Sequence, residues 1–98
     1  MNSSSYRLRV AKTVAELLRK MHPHLKRKVR ASLEMIVANP DEGKALRDGL
    51  AGLRSMRVSK FRIIYGIRQG VIEVIAVGPR AHIYEETLRL IKREGRQA

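Results

Sequence analysis

The chain has 98 residues, room for one domain, and carries 21 lysines and arginines against 9 acidic residues, a formal net charge of +12. The 44% hydrophobic content argues against disorder, and the absence of cysteine excludes disulfides, cysteine-based zinc sites and thiol catalysis. No apolar run approaches the ~20 residues of a membrane span, so we expect one cytoplasmic domain over residues 1–98, frayed at 1–5 and 94–98.

The first part of the chain predicts a strand followed by a short helix. Residues Tyr6–Val10 alternate apolar and basic side chains, the period-2 pattern of a strand with one buried face. Thr13 and Glu16 have the spacing of a capping box, and apolar residues then repeat at helical intervals. A helix is therefore expected from about Val14 until Pro23 interrupts it.

A second amphipathic helix is predicted over 25–38, followed by an irregular connection. Its apolar stripe is accompanied by a block of basic residues over 26–30. Asn39-Pro40 ends this helix, because proline cannot continue the hydrogen-bond ladder. The stretch Asp41–Leu53, which contains three glycines, is interpreted as an irregular connection.

The period then changes to two, which predicts three consecutive strands. They span Arg54–Val58, Phe61–Ile67 and Val71–Val77, with Ser59-Lys60 and Gln69-Gly70 as tight hairpin turns. A closing helix is expected over 84–93. The order of strand, two helices, three strands and helix predicts a small α+β domain.

The positive charge is concentrated in the predicted strands. Between Asp48 and Glu73 the chain has no acidic residue. A domain that tolerates this self-repulsion often has a polyanionic partner, either nucleic acid or an acidic protein, and the alternative is a solvated basic surface.

The turn at Ser59-Lys60 fixes a register that places two arginines side by side. Arg57 falls directly opposite Arg62, and the pair lies on the face that does not carry the core residues. Two opposed guanidiniums are expected either to hold an anion between them, since their planar forks match phosphate oxygens, or to splay into solvent. The other expected partners are Val58 with Phe61, Met56 with Ile63, and Arg54 with Tyr65.

A third cation is expected close to this pair. With Gln69-Gly70 as the second turn, Arg62 lies opposite Val77, and Arg80 and Tyr84 follow just past the end of that strand. A cleft with three arginines and a tyrosine suits a phosphodiester. The sequence contains no metalloprotease, nucleoside-triphosphatase or dinucleotide-binding motif.

These residues, in this order, resemble the RelE/ParE superfamily of toxin–antitoxin toxins. The motifs are a helix-ending Asn39-Pro40, the arginine-rich hairpin over 57–65, Gly78-Pro79-Arg80, and Tyr84 four residues later. The resemblance runs from Tyr6 to about Ile91. It implies a microbial RNase-like fold in which the two first helices pack on an antiparallel sheet.

The resemblance implies a toxin that an acidic antitoxin neutralises. RelE-type members cut mRNA in the ribosomal A site without a metal or other cofactor, by attack of the ribose 2′-hydroxyl on the adjacent phosphate. ParE-type members share the fold and poison DNA gyrase instead. A third hypothesis is a catalytically decayed module that binds only RNA or antitoxin.

The resemblance also implies a role for individual residues. Arg62 would stabilise charge on the phosphate, Arg80 would assist the leaving oxygen, and Tyr84 would stack on or orient a base. The two lysines of the RelE-type site fall here on Leu53 and Ser55, neither of which can act as a base. The residues expected to contact RNA are Arg54, Arg57, Lys60 and His82, and His82 is also considered as a substitute base against the alternative of a surface histidine.

Overall fold

In the computed structural model, which describes residues 6–94, the chain forms three helices on a five-stranded sheet. The predicted α+β class is confirmed. The strands are β1 (Arg7–Val10), β2 (Lys44–Ala45), β3 (Leu53–Val58), β4 (Phe61–Arg68) and β5 (Val71–Pro79); the helices are α1 (Lys12–Lys20), α2 (Pro23–Ala38) and α3 (Ile83–Glu94).

The strands are arranged in the order β1-β5-β4-β3-β2. The three predicted hairpin strands, β3 to β5, are antiparallel, as expected. The short strand β2, in the stretch predicted to be an irregular connection, adds to β3 in antiparallel orientation. The predicted antiparallel sheet is corrected at its other edge, where β1 joins β5 in parallel, so the sheet is mixed. A parallel neighbour requires a long crossover connection, and everything from α1 to β4 lies between these two strands in the chain.

The first hairpin has the predicted register. Ser59 adopts a left-handed conformation with φ of 59°, which allows a two-residue turn, and Arg57 lies directly opposite Arg62. The other three predicted pairs of this hairpin are also present.

The second hairpin corrects one predicted pair. Gln69 and Gly70 both have positive φ, as a type I′ turn requires. An irregularity between Ile64 and Tyr65 then shifts the pairing by one residue, so Arg62 lies opposite Gly78 and not opposite Val77. The extra residue lies on β5, a β-bulge that the alternation of side chains did not reveal.

The predicted capping box at Thr13 is wrong. Helix α1 begins at Lys12 with Ala11 as its N-cap, and no side chain caps it. The backbone N–H of Ala11 donates to the carbonyl of Val74 at 3.1 Å, so pairing with β5 determines where the chain leaves the sheet and becomes helical.

Helix α2 begins earlier than predicted, at Pro23. Proline is favoured at the first helical position, and Nδ1 of His22 accepts a hydrogen bond from the backbone N–H of His24 at 3.1 Å. The side chain of His22 therefore caps this helix.

The two faces of the sheet carry separate apolar clusters. The larger cluster packs α1 and α2 on one face and includes Val29, Ile36 and Ile63, while the smaller packs α3 on the other face and includes Ile64 and Ile83. Successive residues of β4 thus point to opposite faces. The second face also carries the predicted arginine pair.

Two further expectations concern the ends of the chain and membranes. The segments 1–5 and 95–98, expected to be frayed, lie outside the described residues, whereas Glu94 is the last residue of α3. No helix within residues 6–94 is long and apolar enough to cross a membrane.

Candidate functional site

The three residues predicted to be catalytic line one cleft of about 690 Å³. Arg62 comes from β4, Arg80 from the turn after β5, and Tyr84 from the first turn of α3. The opposite wall is β2 and the loop that follows it. The complete lining is Lys44, Ala45, Leu46, Arg47, Asp48, Leu50, Arg62, Arg80 and Tyr84.

The end of β5 determines how these residues meet. Gly78 lies opposite Arg62, and a Cβ atom added there would be only 2.9 Å from Cδ1 of Ile83. Glycine thus permits α3 to start against the strand end. The backbone N–H of Arg80 donates to the carbonyl of Lys60 at 3.1 Å, which joins the turn before α3 to the first hairpin turn.

A buried serine connects two of the three predicted catalytic residues. Nη1 of Arg62 donates to Oγ of Ser55 at 3.3 Å, and the same Oγ lies 3.1 Å from the phenol oxygen of Tyr84. A hydroxyl can accept and donate at once, so Ser55 can serve both partners. Ser55 is only 1% exposed, which places this link at the base of the cleft.

The cleft is strongly positive. Its lining contains four cations, Lys44, Arg47, Arg62 and Arg80, against one acid, Asp48. The Nε atom of Arg62 is buried without a hydrogen-bond partner among the described residues. Leaving such a donor unpaired costs about 1–3 kcal/mol, so the inward position of this side chain opposes stability. The arrangement is suited to an anion.

Three of the residues predicted to contact RNA are exposed and lie near the cleft. Arg57 is exposed, and its Nε donates to the carbonyl of Ser59 at 3.2 Å, so its side chain folds over its own turn. Lys60 and His82 are exposed as well, on the two turns that the Arg80 hydrogen bond joins. None of these three lines the cleft itself.

Arg54, the fourth of these residues, is not brought to the cleft. Arg54 lies directly opposite Tyr65 of the adjacent strand β4, on the face that packs α1 and α2. Its Nη1 donates to the carbonyl of Gly43 at 2.7 Å, and its Nη2 lies 3.4 Å from Oδ1 of Asp41. The guanidinium therefore anchors the segment before β2.

Tyr65 anchors the same segment from the core. Its hydroxyl donates to the carbonyl of Pro40 at 2.7 Å and accepts from the backbone N–H of Gly43 at 2.9 Å. A Cβ atom on Gly43 would lie 2.5 Å from this hydroxyl, so glycine is required for the approach. Burial raises the pKa of Tyr65 above its ordinary value of 10.0.

The sequence-based prediction missed residues of the cleft wall. Lys44 and Arg47 fall in the stretch interpreted as an irregular connection, and Ser55 was considered only as a position that lacks a base. The available signal was the position of the two cations shortly before the arginine-rich hairpin. Among residues 6–94 there is no cluster of three or more potential metal ligands of the histidine, aspartate or glutamate type.

Comparison with known proteins agrees with this fold. Residues 5–84 match the family described as the ParE toxin of type II toxin–antitoxin systems, parDE. The toxin–antitoxin complex RelBE2 from Mycobacterium tuberculosis is similar in structure, with a TM-score of 0.68 and 28% identity over 78% of this chain and 99% of that chain. No curated protein matches the sequence.

Two further solved structures share the fold at lower identity. The isolated RelE toxin of Escherichia coli gives a TM-score of 0.68 at 24% identity, covering 88% of this chain and 98% of that one. The archaeal RelE–RelB complex from Pyrococcus horikoshii gives 0.65 at 20% identity, covering 78% and 96%.

Taken with the mixed sheet and its cationic cleft, these similarities define a small basic domain of the RelE fold. The chain belongs to the ParE toxin family, and it is thus a type II toxin–antitoxin toxin of the RelE/ParE superfamily. The predicted family resemblance is confirmed.

Proposed function

We propose that this toxin is a ribosome-dependent endoribonuclease that cleaves mRNA in the ribosomal A site and so inhibits translation in the cytoplasm. The observation that carries the proposal is the convergence of Arg62, Arg80 and Tyr84 on one cleft. Preorganised cations that face developing negative charge are usually the largest single contribution to catalysis, and a phosphate in this cleft would meet them directly.

The proposed reaction is an internal transfer at phosphorus. The ribose 2′-oxygen forms a bond to the adjacent phosphorus as the bond from phosphorus to the 5′-oxygen breaks, which leaves a cyclic phosphate. The 2′-hydroxyl proton passes to water, and the 5′-oxygen takes up a proton from water. Arg62 stabilises the phosphoryl oxygens, Arg80 the leaving oxygen, and Tyr84 stacks on or orients a base.

Ser55 supports these roles by holding the side chains in place. Its hydroxyl contacts both the Arg62 guanidinium and the Tyr84 phenol, so the two groups keep a fixed relation beside the exposed Arg80. The exposed side chains of Arg57, Lys60 and His82 lie beside the cleft and are proposed to contact flanking RNA.

We further propose that an acidic antitoxin neutralises the toxin. The structures of the M. tuberculosis and P. horikoshii relatives are toxin–antitoxin complexes. The net charge of +12 favours an acidic partner through complementary charge. An adjacent gene that encodes a small acidic protein would support this, and co-purification of the two products would test it.

A second candidate function is inhibition of DNA gyrase without nuclease activity. The match to the ParE toxin family favours it, as do Leu53 and Ser55 at the positions where the resemblance implies lysines. Purified toxin would then block gyrase supercoiling in vitro and induce DNA-damage signalling without translational arrest.

The deciding experiment maps mRNA cut sites on ribosomes with wild-type toxin and with Arg80→Ala. Arg27→Ala is the matched control, because Arg27 is an exposed arginine of α2 on the other face of the sheet. We expect discrete cuts with wild type and Arg27→Ala, and their loss with Arg80→Ala. Absence of cuts with wild type, or equal cutting by Arg80→Ala, would contradict the proposal.

A further inference from the structure

Lys44 lies on the cleft side of the sheet, directly opposite the serine that links the site. Strand β2 consists of two residues, and the Cα atom of Lys44 pairs with that of Ser55 on β3. Directly opposed residues of antiparallel strands project to the same side. Since Ser55 contacts Arg62 and Tyr84, that side is the floor of the cleft.

The backbone that carries Lys44 is fixed on both sides. Just before it, Gly43 donates its N–H to the Tyr65 hydroxyl at 2.9 Å and accepts from Arg54 at 2.7 Å. Just after it, the N–H of Leu46 donates to the carbonyl of Leu53 at 2.9 Å. A two-residue strand is thus held in one position, which also fixes the starting point of the lysine side chain.

The ammonium group of Lys44 is available to a ligand. The side chain lines the cleft together with Arg62 and Arg80, and the residue is exposed. The ion pairs of Arg54 with Asp41 and of Arg89 with Glu85 involve other residues. Lys44 shares the cleft with Arg47, Arg62 and Arg80, and a cluster of like charges favours the entry of an anion.

We propose that Lys44 is a catalytic residue of the cleft, whose ammonium binds the scissile phosphate from the side opposite Arg80. The inference rests on the proposed ribonuclease function. As the 2′-oxygen bonds to phosphorus and the 5′-oxygen leaves, Lys44 stabilises the added charge on the phosphoryl oxygens while the 2′-hydroxyl proton passes to water.

The test compares Lys44→Gln with Lys28→Gln, because Lys28 is an exposed lysine of α2 on the other face of the sheet. Single-turnover cleavage of mRNA on ribosomes is expected to fall by roughly 10- to 100-fold for Lys44→Gln and to stay unchanged for Lys28→Gln. The exposed position of Lys44 means that its substitution leaves the fold intact, which thermal unfolding would verify.

A conservative variant tests the role of the charge. Lys44→Arg keeps a cation on β2 and leaves Ser55 in place opposite it, so we expect it to retain more of the rate than Lys44→Gln. A separate measurement uses a single-stranded RNA with 2′-deoxyribose at the cut site. Its binding by Lys44→Gln should depend less on salt than its binding by wild type, and the slope of the logarithm of the binding constant against the logarithm of the salt concentration should be lower by about one.

Each result decides between the two proposals. Equal cleavage rates and salt slopes for Lys44→Gln and Lys28→Gln, with an active wild type, would overturn the role of Lys44 and leave the proposed function standing. A wild type that does not cleave would overturn the proposed function and this inference with it.

Discussion

Replacing Tyr65 with phenylalanine is expected to destabilise the domain through two hydrogen bonds alone. The ring is 0% exposed, so Tyr65→Phe keeps the packing and removes only the hydroxyl. The carbonyl of Pro40 and the N–H of Gly43, both on buried residues, then lose their partner. Each unpaired buried group costs about 1–3 kcal/mol, so the loss should total about 2–6 kcal/mol.

Urea unfolding followed by far-ultraviolet circular dichroism measures this loss. A domain of this size has a free energy of unfolding of about 5–15 kcal/mol, so the midpoint should fall clearly while the slope is unchanged. Tyr84→Phe is the control, since its half-buried hydroxyl has one partner, Ser55, and should cost no more than about 1 kcal/mol. A loss below about 0.5 kcal/mol for Tyr65→Phe would refute the assignment of this hydroxyl as the anchor before β2.

Three more outcomes follow from the same contacts. Burial raises the pKa of Tyr65, so the contribution of its neutral hydroxyl to stability is complete below pH 10 and is lost as the pH rises through the pKa of the folded state. The free energy of unfolding between pH 8 and about 11.5 should therefore decline less steeply in Tyr65→Phe than in wild type. Ser55→Ala and Tyr84→Phe should have non-additive effects on cleavage in a double-mutant cycle, since both remove one shared contact; additive effects would contradict it. Arg62→Ala should abolish cleavage yet change the free energy of unfolding by less than about 1 kcal/mol, because it also removes an unpaired buried N–H. A loss of stability above about 2 kcal/mol would show that the side chain is structural.

The first hairpin could be predicted to the residue because its register depends on local information. A two-residue turn at Ser59-Lys60 fixes every pair that follows, and a shift by one residue would have exposed the core face. The second hairpin has an equally clear turn, yet one extra residue on β5 displaced the partner of Arg62 from Val77 to Gly78. A β-bulge leaves the local composition unchanged, so the sequence did not indicate it.

The wall formed by β2 could not be predicted for a different reason. Two residues are too few to show a period, and the position of Lys44–Ala45 depends on distant anchors, the Tyr65 hydroxyl and the Arg54 guanidinium. The predicted pairing of Arg54 with Tyr65 is confirmed. Arg54 was nevertheless predicted to contact RNA, because charge alone grouped it with Arg57, whereas the alternation of side chains along β3 puts Arg54 on the opposite face from Arg57.

The contrast between Arg57 and Arg62 is the strongest structural argument that the cleft binds an anion. The two residues are directly opposed on adjacent strands and start on the same face. Arg57 turns outward to the carbonyl of Ser59 and is exposed. Arg62 remains inside, held by Ser55, with one donor buried and unpaired. Like-charge repulsion and the unpaired donor both favour an outward Arg62, whereas the contact with Ser55 keeps the side chain inside. We therefore expect a phosphate bound in the cleft to stabilise this side-chain position.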